Sequence, residues 1–96
     1  MSDAKLRIRH AKRGNEKSID LSNLGLSEIP TEILQLSALE TVNVSGNRLS
    51  SLERLGQLPH LRDIIAQNNN ISTLHEELLD LYFLDSINLV GNPIVN

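Results

Sequence analysis

Three histidines and twelve Asp and Glu residues supply the chain's capacity for acid–base or metal chemistry; there is no cysteine. A thiolate zinc site, a cysteine nucleophile and a disulfide framework are therefore excluded. His10, His60 and His75 lie far apart in different local settings. The run His75-Glu76-Glu77 has one histidine where a helical zinc motif needs two, four residues apart. His75 stands where an earlier segment has Pro30, so it reads as the start of a turn. Gly25, Gly46 and Gly91 are spread along the chain as turn residues and do not make a phosphate-binding loop. Asp20 and Asp63 are the nearest approach to a carboxylate pair, yet two strands would separate them, by about 10 Å at normal strand spacing. Paired carboxylates also need an enclosing pocket to do hydrolysis. The expectation is a non-enzyme with no cofactor and no metal.

The residue types that do recur are asparagine, leucine and isoleucine: 10 Asn, 18 Leu and 9 Ile in 96 residues. Their order is periodic. Leu39, Val42, Val44, Asn47, Leu49 and Leu52 form one unit. Leu61, Ile64, Ala66, Asn69, Ile71 and Leu74 form the next, and Leu84, Ile87, Leu89, Asn92 and Ile94 a third. An earlier degenerate unit starts at Glu16, keeps Ile19, Leu21, Leu26 and Ile29, and has Leu24 in place of the asparagine. A simple amphipathic helix repeats every three or four residues and cannot produce this mixed spacing. The alternation around Val42-Asn43-Val44 is that of a strand with one buried face, so successive units can stack as a parallel sheet. An asparagine held in register beside each tight turn can donate its amide to carbonyls the turn leaves unpaired. An unpaired buried carbonyl costs about 1–3 kcal/mol, which makes a ladder of Asn47, Asn69 and Asn92 worth having; simple turn propensity is the plainer account of the same residues.

The stretches NVSGNRLSSL, IAQNNNISTL and NLVGNPI carry the pattern L-x-x-L-x-L-x-x-N-x-L, and LSEIPTEILQL carries its proline-containing return. Over residues 16–96 the chain resembles the leucine-rich repeat family. The resemblance implies an α/β fold: a right-handed solenoid of about three and a half repeats with a parallel sheet on its concave face. The repeats are bounded at 16–38, 39–60, 61–83 and 84–96, the last incomplete. Residues 1–15 form an N-terminal capping helix over 3–13, started by Ser2 or Asp3 and ended by Gly14 with a positive φ.

The return segments differ. Pro30 to Leu36 suits a short helical turn opened by proline, with Ile33 and Leu36 inward. In ERLGQLPH, Leu55 and Leu58 point inward while Gly56 and Pro59 disfavour length. HEELLDLYF reads as the longest helix, with Leu78 and Leu81 inward and one of Tyr82 and Phe83 in the core.

Charge divides along the chain. Residues 1–17 carry six Lys and Arg against two acids, and the remainder carries three against ten. The basic helix invites an anionic membrane or nucleic acid, but its apolar stripe is narrow and bears no large aromatic side chain. Aromatics are 2% of the chain, which argues against base stacking. No apolar run is long enough for a membrane span or a signal peptide, so a cytoplasmic location is expected. The fourth unit has a strand and an asparagine but no return, leaving Leu84, Ile87, Leu89 and Ile94 uncovered. An open apolar end is a liability in a monomer. The chain is expected to continue in a longer intracellular regulatory or cytoskeleton-associated protein, or to pair with a second copy through 84–96.

In the family, the exposed strand positions commonly bind other proteins. By register these are Asp20, Thr41, Asn43, Asp63, Ile65, Gln67, Asn88 and Val90, beside Ser18, Ser22, Ser45 and Ser86. The resemblance implies a protein-binding scaffold, with a basic segment as the partner that an acidic body would attract. The alternatives are an oligomerisation unit using the open end, or an anionic-surface anchor using the basic helix.

Overall fold

Alternation at four places gives four three-residue strands: β1 (Ser18–Asp20), β2 (Thr41–Asn43), β3 (Asp63–Ile65) and β4 (Ser86–Asn88). In the computed structural model, which describes residues 2–94, they form one parallel sheet in the order β1-β2-β3-β4. Residues 1, 95 and 96, at the outer limits of the expected cap and fourth repeat, lie outside the described residues. The register is unbroken. Ser18, Thr41, Asp63 and Ser86 line up across the sheet, then Ile19, Val42, Ile64 and Ile87, then Asp20, Asn43, Ile65 and Asn88. The middle row faces inward: Ile19, Val42 and Ile64 are buried and Ile87 half-buried.

Parallel neighbours require the chain to travel back before each new strand, and it does so three times. The returns contain a 3₁₀ turn at Thr31–Gln35, another at Glu53–Gln57, and the helix α2 (Glu76–Leu79). Each plants one side chain at the same depth: Ile33, Leu55 and Leu78 are completely buried. With Leu21, Val44, Leu49, Leu61 and Ile71 they fill the space between the sheet and the returns. A fully buried residue of this kind contributes about 1.5–3 kcal/mol relative to exposure. α2 is shorter than the sequence suggests. The chain leaves the helix at Asp80 to reach β4, and Tyr82 and Phe83 are both exposed, Tyr82 at 89%, so neither joins the core.

Two polar columns hold the turns that follow the strands. Asn47 donates its amide to the carbonyls of Leu21 and Val44, at 2.9 Å each, and accepts from the amides of Leu24 and Leu26 at 3.0 Å. Asn69 donates to Val44 and Ala66 and accepts from Leu49. Asn92 donates to Ala66 and Leu89 and accepts from Ile71. Each asparagine thus closes its own turn and the turn of the preceding unit. Leu24 cannot act in this way, but the element before it is a helix that closes its own backbone. The second column is Asn23, Gly46, Asn68 and Gly91, all with φ between 56° and 82°. Only glycine, and more rarely asparagine, enters that left-handed region at low cost. The order matters as well, because a Cβ on Gly46 would lie 2.0 Å from Oδ1 of Asn23, and one on Gly91 2.1 Å from Oδ1 of Asn68.

The helix α1 (Asp3–Arg13) lies against the outer side of β1. Ser2 caps it by accepting from the amide of Lys5, and the stripe Ala4, Ile8 and Ala11 is buried. Gly14 ends the helix with an ordinary φ of −85°; the positive φ falls one residue later, at Asn15. The amide of Gly14 reaches back to the carbonyl of His10, so the chain turns only after that bond is made. Arg7 donates to the carbonyl of Asp20 at 2.8 Å, tying α1 to the end of β1.

Candidate functional site

Parallel register turns residues 22–23 apart in sequence into neighbours on one face. Three rows cross the outward side of the sheet and its following turn. The first is Ser18, Thr41, Asp63 and Ser86, with the Ser86 hydroxyl donating to Asp63 at 2.8 Å. The second is Asp20, Asn43, Ile65 and Asn88. The third, two residues on, is Ser22, Ser45, Gln67 and Val90. A fourth row precedes the strands: Lys17, Glu40, Arg62 and Asp85, alternating in sign, with Lys17 3.9 Å from Glu40 and Arg62 3.1 Å from Asp85. Thr41, Asn43, Asp63, Ile65 and Gln67 are half-buried, while Asp20, Asn88 and Val90 are exposed. All eight sequence-predicted surface residues therefore lie on this side of the sheet and its turns.

The second row is stiffened from within. Asp20 Oδ1 accepts from the amide and hydroxyl of Ser22, at 2.9 and 2.6 Å. Asn43 Oδ1 accepts the same pair from Ser45, at 3.0 and 2.7 Å, and Asn88 Oδ1 accepts from the amide of Val90. These oxygens face their own turns, which restricts the side chains, and the amide nitrogens of Asn43 and Asn88 make no hydrogen bond among the described residues. The Ser22 hydroxyl and amide hydrogen bonds, with help from Arg7, hold the Asp20 carboxyl below its usual 3.8. Ile65 breaks the polar row with an apolar step in the middle of the sheet. Asp20 and Asp63 lie in different rows.

Two further clusters join Tyr82 and Phe83, and His75 and Glu77, to residues one repeat earlier that the sequence does not pair with them. His60 stacks on Phe83 with ring centroids 5.9 Å apart, and Tyr82 meets Phe83 edge-on at 5.0 Å. Glu53, His75 and Glu77 bring one ligand atom each within 4.8 Å of one another on the surface of the last two returns. His75 lies 3.8 Å from Glu53. Both clusters could have been found by shifting the sequence one repeat: residue 60 falls under 83, and 53 under 75 or 76. Exposed acidic groups gather in this way without any ion.

No family model matches the chain. Over 85 residues, 82% of its length, it is 31% identical to the probable inactive serine/threonine-protein kinase roco10 of Dictyostelium discoideum, where that stretch is 3% of the relative. It is 31% identical over 78 residues to the geranylgeranyl transferase type-2 subunit alpha of Homo sapiens, covering 79% of this chain and 14% of the relative. It is 38% identical over 80 residues to the adenylate cyclase of Schizosaccharomyces pombe, covering 81% of this chain and 5% of the relative. The chain spans 3–14% of the length of these relatives.

Proposed function

We propose that the chain is a leucine-rich repeat module, a short right-handed solenoid, that binds a segment of another protein on the outward face of its sheet and performs no chemistry itself. The observation that carries this reading is the unbroken parallel register, which holds Asp20, Asn43, Ile65 and Asn88 in one row. Side chains already fixed by their own turns lose little further freedom on binding. The row offers a carboxylate, two amides and one apolar step, a set suited to an extended basic segment. The relatives support it from another direction. Their names describe a kinase, a transferase subunit and a cyclase, yet each resembles this chain over about 80 residues, which fits a carried module better than any one of those activities. A cytoplasmic setting belongs to the same proposal; among the described residues no helix is long and apolar enough to cross a membrane.

The test uses the double substitution Asn43→Arg with Ile65→Glu. Both sites are half-buried at most and Asn43 gives up its two bonds to Ser45, so the fold is expected to be kept with a melting temperature lower by several degrees. Partners that proximity labelling captures with the parent chain are expected to be lost, and direct titration should show binding weakened at least tenfold, the size of one hot-spot loss. Retention of every partner by the folded variant overturns the reading.

A second reading rests on β4. Its outer edge pairs with no strand among the described residues, Leu84, Ile87 and Leu89 are half-buried, and Val90 is 68% exposed. Such an edge can template a further strand from another copy. Light scattering on a size-exclusion column decides it: a strict monomer at high micromolar concentration removes self-association.

A further inference from the structure

The opposite end of the molecule carries a second surface of the other sign. Lys5, Arg9 and Arg13 are spaced four residues apart on α1, with Lys12 beside them, so all four lie along one stripe of the helix. That stripe lines a groove of about 740 Å³ between α1 and the 3₁₀ turn Thr31–Gln35, with Ile8 among its lining and Glu32 and Gln35 on the far wall. Lys5 is paired with Glu32 at 3.4 Å. Arg9, Lys12 and Arg13 have no carboxylate partner among the described residues, although the rest of the chain is strongly acidic.

We propose that this groove binds an extended acidic peptide segment with carboxylates or phosphates at alternate positions. The spacing supports that occupant. Successive cations four residues apart on a helix are separated by about 6 Å along its axis. Alternate side chains of an extended chain project on one side about 6.7 Å apart. Three acids at alternate positions therefore match Lys5, Arg9 and Arg13 nearly one to one, and Lys12 adds a further positive charge at the Arg13 end of the run. The Gln35 side chain on the far wall can bond the peptide backbone. A bilayer is a poor fit, because the cations line a concavity and the helix has no large aromatic side chain to insert. Base stacking has no ring to use here. The proposal stands apart from the sheet face: the surface, the partner's charge and the residues are all different.

The experiment is a titration of the isotope-labelled 96-residue chain, followed by amide shifts. The probe is a peptide in which glutamate and serine alternate, compared with an isomer whose glutamates are consecutive. The alternating peptide is expected to shift amides on α1 and residues 31–35 and to bind more tightly than its isomer. Arg9→Gln with Lys12→Gln and Arg13→Gln should weaken it about tenfold, since exposed pairs contribute modestly but together. These side chains are exposed, and the variant's spectrum outside α1 reports that the fold is kept. Glu32→Gln releases Lys5 and should tighten binding about twofold, a gain that misfolding cannot mimic. Equal binding of the two isomers, shifts confined to other surfaces, or no response to the triple substitution overturns the proposal. So does tighter association with equimolar phosphatidylserine–phosphatidylcholine vesicles or with single-stranded RNA than with the peptide.

Discussion

At the scale of single residues, the asparagines divide the work unequally. Among the described residues, Asn47 is buried and makes five hydrogen bonds, Asn69 four and Asn92 three. Asn69→Ala is expected to destabilise the fold by about 1–3 kcal/mol, because turn carbonyls lose their donor where water enters poorly. Urea melts of the three alanine variants should rank Asn47 as most costly and Asn92 as least; a reversed order would show that the bonds are not the source of the loss. Gly46→Ala is expected to cost more than Gly25→Ala. Both have φ of 68°, but only at Gly46 does the new Cβ run into Asn23; at Gly25 the nearest atom is 4.0 Å away. Adding Asn23→Gly should recover the steric part and leave the conformational part, about 1–2 kcal/mol. Asp20 gives a pH dependence of known sign. Its carboxyl is held below 3.8, so its small contribution is complete above that value and is lost as pH falls through the lower folded value. Asp20→Asn should narrow the stability difference between neutral and strongly acidic solution. The positions of Asn47, Asn69 and Asn92 were legible because spacing alone marks them. The left-handed column was not: Asn68, Asn69 and Asn70 are chemically identical, and only the backbone separates the turn residue from the bridging one.

At the scale of elements, register was a better guide than local propensity. Strands of three residues are too short to recognise singly, yet four in step are unmistakable. HEELLDLYF misled because its helix-forming residues were read alone. The segment from Leu74 to Leu84 must span the same path as its predecessors, and after one turn of α2 the chain has to head back to the sheet. The return to the next parallel strand overrides propensity. The same shift places Tyr82 and Phe83 over Pro59 and His60, both exposed, so their exposure was readable in advance from the repeat. The cap was legible because Ala4, Ile8 and Ala11 form a stripe flanked by charge. Ile8→Ala should cost about 2–5 kcal/mol, as buried large-to-small changes do. It should also release α1 from β1, raising amide exchange in β1 while β3 stays protected. Equal protection in both strands would mean that α1 contributes nothing to the first edge.

At the scale of the whole molecule, described residues span 39 × 29 × 17 Å, and the two ends differ in kind. One edge of the sheet is covered by a basic helix; the other, among the described residues, is a strand with no further neighbour, bordered by half-buried leucines. Were both proposed surfaces occupied, raising the salt concentration should weaken both attachments without melting the fold, which rests on uncharged contacts. Each asparagine also completes the turn before its own, and that has a directional result. A cut made late in the chain strips support from what remains upstream, whereas a cut made early leaves the new first turn still served from behind. Unravelling that begins at β4 should accordingly work backwards, strand by strand.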